Sequence, residues 1–180
     1  MSALPHNDEP FLRVTTDRLF LRGVPLPLPL HVADLIGLLG EPDRIASGAA
    51  PPPPGHRNNE RYVYDKLGFY GIREHNSERI LELTFVFRLG TGRIVLPYPP
   101  QSCFQGTIQI PGLEINSKTQ ALDLWKAVWN PECQAIANFA GSRVGKFPIS
   151  FFTNAKSKGR MSNGEGNLHS VAIGLPHRID

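Results

Sequence analysis

VADLIGLLGEPDR, residues 32–44, carries the clearest helical pattern in the chain. Val32, Leu35, Ile36 and Leu39 fall at i, i+3, i+4 and i+7, which lays one apolar stripe along a short helix and turns Asp34 towards water. Gly40 suits the left-handed position just past a helix, and Pro42 cannot continue one. The helix is therefore expected to end at Leu39 or Gly40. A shift of 89 positions brings Pro42 onto Pro131, Asp43 onto Glu132, and the apolar face onto Ala121, Leu124, Trp125 and Val128. The same shift carries Gly23 onto Gly112, so the chain reads as a duplication of one unit.

Upstream of the helix, Leu12 and Val14, then Leu19 and Leu21, alternate with polar neighbours about Thr15-Thr16-Asp17, the pattern of a β-hairpin. In VPLPLPL, residues 24–30, proline's fixed φ and missing N–H demand an extended segment on a sheet edge that feeds the helix. Downstream, residues 45–59 read as a loop. Residues 61–64 and 67–72 are rich in aromatic and β-branched residues and read as strands, with a polar turn over 73–79. ILELTFVF, residues 80–87, is the strongest strand signal, with Leu81, Leu83, Phe85 and Phe87 directed to one core and Val86 marking a central position. The second half follows the same order: strands within 108–115, a helix for which Ser117 and Gln120 offer a capping box, then strands at 147–153 and 168–175. The fold class expected is α+β, two tandem pseudo-repeats of strand-strand-helix-strand-strand forming antiparallel sheets with helices on one face. The divisions are a loose arm at 1–10, a first unit at 11–96, a proline-rich connector at 97–103 and a second unit at 104–180, the units sharing one globular domain.

With 180 residues and 41% apolar content the chain can bury a substantial core. Its 17 prolines gather between patterned segments and punctuate the fold rather than break it. The two cysteines, Cys103 and Cys133, allow at most one bridge, and neither has a second cysteine or a histidine at metal-ligand spacing. Reduced, buried thiols are expected. The first residues have no basic and apolar leader pattern, and no apolar run approaches the ~20 residues of a membrane span. A cytoplasmic location follows as the expectation. The net charge of +3 fits an anionic partner without requiring one.

No motif commits the chain to catalysis. In residues 141–147, GSRVGKF, only three residues separate the glycines, where a phosphate-binding loop has four, and Phe147 replaces the hydroxyl that would hold Mg²⁺. The six histidines are scattered, and Glu74-His75 reads as part of a solvated turn. Asp65, Glu74 and Glu82 read as surface groups, and Ser102 and Ser142 lack the surroundings of an activated nucleophile. The expectations are no enzyme activity, no catalytic residue, no metal and no cofactor. Charge is more informative. Between Cys133 and Gly164 there is no Asp or Glu, while Arg143, Lys146, Lys156, Lys158 and Arg160 fall there, interleaved with Phe139, Phe147, Phe151 and Phe152. Such a strip suits an acidic protein partner or single-stranded nucleic acid. It equally suits a hairpin whose phenylalanines are core and whose lysines are solvated.

LGEPDR (39–44), YDKLGFYG (64–71), the alternating strand 81–87 and FQGTIQIPGLEI (104–115) together resemble a poorly characterised bacterial domain family of polymorphic-toxin and type VI secretion immunity proteins. The resemblance spans residues 11–176. Its motifs are architectural, and it brings no catalytic residue to any position of this chain. It implies a non-enzymatic immunity protein that binds and neutralises a cognate toxin or effector, to which the basic strip adds the expectation of an acidic surface or anionic-ligand cleft on that partner. The candidate partner-binding residues are Arg143, Lys146, Lys156, Lys158 and Arg160, with His56 and Arg57 in the proline-rich loop as the next contact element. The alternative is a nucleic-acid-associated module using the strip 143–160. A membrane partner is not expected.

Overall fold

The computed structural model describes residues 9–47, 59–89, 99–128, 135–136, 139–153 and 168–176. The first half contributes β1 (Leu12–Val14), β2 (Leu19–Leu21), β3 (Val24–Pro25), α1 (Val32–Leu39), β4 (Arg44–Ala46), β5 (Glu60–Tyr64), β6 (Phe69–Arg73) and β7 (Ile80–Val86). The second contributes β8 (Ile108–Ile110), β9 (Leu113–Ile115), α2 (Ala121–Val128), β10 (Ala135–Ile136), β11 (Phe139–Val144), β12 (Phe147–Thr153) and β13 (Leu168–Gly174).

The helix α1 forms where its pattern places it. Val32 and Leu35 are buried, and Ile36 and Leu39 pack against the same core from its margin. Asp34 does more than face water: its carboxylate accepts the His31 backbone N–H at 2.9 Å, satisfying a donor that the first turn leaves unpaired. At the other end the Gly40 N–H returns to Ile36 O at 2.8 Å.

Thirteen strands against two eight-residue helices among the described residues make this a mostly-β protein. The expected α+β architecture of tandem strand-strand-helix-strand-strand units is therefore corrected. Neither half builds its own sheet beneath its own helix. The smaller sheet runs β3-β2-β1-β8-β9 and the larger β10-β11-β12-β13-β7-β6-β5-β4, so each contains strands from both halves. The halves join in parallel at β1–β8, with Leu12 opposite Ile108, and antiparallel at β7–β13, with Leu83 opposite Ile173. The physical reason is strand length. Two or three strands of three residues bury too little surface to stand alone, and they become stable by completing a wider sheet.

One core lies between the sheets. Leu12, Leu19, Leu21, Ile108 and Ile115 of the smaller sheet share it with Phe69, Leu83, Phe85, Ile149 and Ile173 of the larger, and Leu35 and Leu124 join from the helices. β3 is an edge strand, as its prolines require. Two local expectations change. Ser117 does not cap α2: Asn116 Oδ1 accepts the Lys118 N–H at 2.9 Å in a local turn, and the helix begins later, with Gln120 O accepting from Asp123 and Leu124. Leu81 is not core, because the strand bulges at that residue. Cys103 is a free thiol, half-buried rather than buried. Cys133, the arm 1–8 and the side chain of Trp125 lie outside the described residues.

Candidate functional site

The site begins at the hairpin that joins β11 to β12. Val144 pairs with Phe147, so the turn is the two residues Gly145 and Lys146. Gly145 has φ +55, and a Cβ there would overlap the Thr16 carbonyl. The Lys146 N–H donates to that same carbonyl at 3.1 Å. The hairpin tip is thus seated on the β1–β2 turn, which fixes where Arg143 and Lys146 project. Arg143 Nη2 donates to Lys146 O at 3.3 Å, and Lys146 Nζ stands 5.7 Å from the Phe147 ring centroid. Both side chains belong to exposed residues, and among the described residues neither forms an ion pair.

From Arg143 a straight row of residues crosses the outer face of the larger sheet. Arg143 is opposite Pro148, a Cβ on Gly174 would lie 3.2 Å from Pro148 Cβ, Gly174 is opposite Glu82, and Glu82 is opposite Ile72. Residues directly opposite on adjacent strands share a face, so the row is the floor of a groove. The groove is open, about 710 Å³ in volume, with Lys146 and Asn59 towards its ends and Leu81, Leu175 and Pro176 along its side. Leu81 and Glu82 are consecutive, and an unbroken strand would send them to opposite faces. The pairing of β6 with β7 jumps from Ile72–Glu82 to Arg73–Ile80, leaving Leu81 as a bulge. The bulge turns both side chains towards the groove, and the Leu175 N–H, donating to Leu81 O at 2.8 Å, holds it.

Glu82 is fixed from below. The buried Thr84 hydroxyl donates to Glu82 Oε1 at 2.6 Å. Beside it, burial pushes the Tyr70 phenol upward, so Tyr70 remains protonated, and the Arg61 guanidinium lies 6.0 Å from its ring centroid. A second polar cluster lies at the far end of the same sheet. Arg44 meets Asp65 through two hydrogen bonds, Nε to Oδ2 at 2.9 Å and Nη2 to Oδ1 at 3.1 Å, and the Gln101 N–H adds a third to Oδ1 at 2.8 Å. These hold the Asp65 carboxyl below the usual carboxylate range, the Arg44 hydrogen bond being the largest cause. Asp65 is thus a buried structural anchor, and its expected place among surface groups is corrected. His169, on β13, is also buried; burial lowers its pKa and its Nε2 has no hydrogen-bond partner among the described residues.

Of the residues singled out by sequence, Arg143 and Lys146 are brought together at the groove. Lys156, Lys158, Arg160, His56 and Arg57 lie outside the described residues. Phe147 and Phe151 are core, while Phe152 is half-buried. Glu82, which sequence reasoning left on the surface, is the acidic member of the groove. No feature of ILELTFVF marks it, since Leu81 fits the alternation and conceals the bulge. Among the described residues no three His, Cys, Asp or Glu side chains group so as to hold a metal ion. No described helix is long and apolar enough to cross a membrane.

Fold and groove define a mostly-β protein whose two sheets share one core and whose larger sheet carries an open, charged trough on its outer face. Residues 12–125 match the family described as "Domain of unknown function (DUF7738)", and the chain belongs to that family. No curated protein matches it. Among solved structures it is similar to a cysteine-rich secretory protein from Staphylococcus aureus subsp. aureus Mu50, at 13% identity and a TM-score of 0.36 over 81% of this chain. The match spans 43% of that protein's length, and a likeness of this size carries no argument about fold or function.

Proposed function

We propose that the protein is a non-enzymatic immunity protein that acts in the cytoplasm by binding a cognate toxin, with the groove face of the larger sheet meeting an acidic part of that toxin. The observation that carries this reading is the position of Arg143 and Lys146, exposed, unpaired among the described residues and held by a hairpin tip seated on Thr16. Unneutralised charges beside an open trough steer an oppositely charged partner and fix its register. The sequence resemblance to toxin-immunity families supports the partner class. The nucleic-acid alternative draws less support, because Phe147 and Phe151, two of the rings that would stack on bases, are enclosed in the core.

Co-expression with candidate toxins, taken first from genes neighbouring this one, tests the proposal. Cells should survive only when a complex forms. Exposed rim charges contribute ~0.2 to 1 kcal/mol each, so Arg143→Glu with Lys146→Glu should slow association about two- to thirty-fold at low salt and flatten its salt dependence. Protection by a variant that no longer binds the toxin would overturn the reading and point to chemistry instead.

A further inference from the structure

The groove carries charges of both signs, and the sheet sets the separation of the backbone positions that bear them. Glu82 on β7 and Arg143 on β11 are three strand spacings apart along one register row, which is about 14 Å at ~4.8 Å per strand. That separation matches an extended polypeptide, in which side chains at i and i+4 point the same way and lie about 13 Å apart. Between the charges the floor is low and apolar, formed by Gly174 and Pro148 with Leu81 and Leu175 beside it. Glu82 is oriented for a ligand, because Thr84 occupies Oε1 and leaves Oε2 without a hydrogen bond among the described residues.

We propose that the groove binds an extended segment of the protein partner lying across the strands, with a basic side chain on Glu82, an apolar side chain over Gly174 and Pro148, and an acidic side chain at Arg143 and Lys146. The recognised pattern is basic-x-apolar-x-acidic, in either chain direction. This rests on the reading that the protein acts by binding another protein, and it names the chemistry of the segment bound.

Selection of random twelve-residue peptides displayed on phage against the immobilised protein tests it. The wild type should enrich peptides with a basic and an acidic residue four positions apart and an apolar residue midway. Against Glu82→Lys the basic position should become acidic while the other is kept, and against Arg143→Glu with Lys146→Glu the acidic position should become basic. Synthetic peptides of the wild-type pattern should lose affinity tenfold or more on either reversal. Glu82→Gln, which keeps the shape and the Thr84 contact, should abolish the basic preference without inverting it. Absence of enrichment, a helical spacing, or one unchanged pattern on all variants would overturn the inference. A toxin that binds the wild type and Glu82→Lys equally would sink the groove assignment and leave the immunity reading standing. Selection of the pattern by a protein that binds no toxin would support the groove assignment and sink the immunity reading.

Discussion

Gly68→Ala should destabilise the protein by about 4 kcal/mol or more and lower its melting temperature by about 8 to 16 °C, at ~2 to 4 °C per kcal/mol for a chain of this size. Gly68 has φ +76, where an L-residue with a Cβ costs ~1 to 2 kcal/mol. The larger part comes from its neighbours. An added Cβ would overlap Phe104 N and Cys103 C and come within 2.6 Å of Phe104 Cα. Backbone cannot swing aside as a side chain can, and this backbone is held by Val86 N–H donating to Gly68 O at 2.9 Å and Phe104 N–H donating to Val86 O at 2.7 Å. Displacing it withdraws Phe104, whose buried ring packs edge-on against Phe85 at 4.9 Å, Phe11 at 5.2 Å and Phe87 at 5.5 Å. Loss of such a ring from a core costs ~3 to 5 kcal/mol. Gly112 is the internal control. Its φ is +78 and a Cβ there would meet nothing within 4 Å, so Gly112→Ala should cost only the conformational ~1 to 2 kcal/mol. Equal melting temperatures for the two variants would show that the close approach to Phe104 is absent.

Asp65→Ala should cost about 2 to 4 kcal/mol at pH 7, and Asp65→Asn should flatten the acid limb of the stability profile. Breaking a buried ion pair costs ~3 to 5 kcal/mol, and the lower figure allows for the Arg44 side chain, 32% exposed and still able to reach water. Asp65 also accepts from the Gln101 backbone, so its loss leaves that N–H without its partner, while Ser102 N–H to the Asp65 carbonyl and Arg44 to Pro99 O keep residues 99–102 attached. The pH dependence follows from the carboxyl pKa, which is lower in the folded protein than in the unfolded chain. The stabilisation is complete above the unfolded value of ~3.9 and is lost as pH falls through the lower folded value. Urea unfolding from pH 7 down to pH 2 measures this. A wild type and an Asp65→Asn variant with parallel acid limbs would show that the Arg44 contact does not hold the carboxyl down.

What the sequence revealed divides along physical lines. α1, the β1–β2 hairpin and strands β7, β12 and β13 were legible because each carries several apolar residues at one period. β4, β10 and β11 were not. β4 and β10 have three and two residues, and the middle of β11 is Ala140, Gly141 and Ser142, too small to show an alternation. The sharing of both sheets between the halves was hidden because pairings such as Leu12 with Ile108 join residues far apart in the chain. Arg143 and Lys146 stood out through the absence of nearby carboxylates, a property of composition. Glu82 did not, since its role arises from a bulge at Leu81 and from a register row that crosses five strands. Asp65 was misread because its partner Arg44 is 21 residues away, on a strand the sequence had concealed.

The groove has its own reporters in the methyl groups of Ile72 and Leu81, and those of Leu12, Ile108 and Ile115 lie in the core at the smaller sheet. A methyl NMR spectrum recorded as the cognate toxin is added tests the binding face most directly. Shifts or broadening at Ile72 and Leu81, with Leu12, Ile108 and Ile115 unmoved, is the result expected. A tight complex that leaves the methyls of Ile72 and Leu81 unchanged would contradict the assignment of this face as the site of binding.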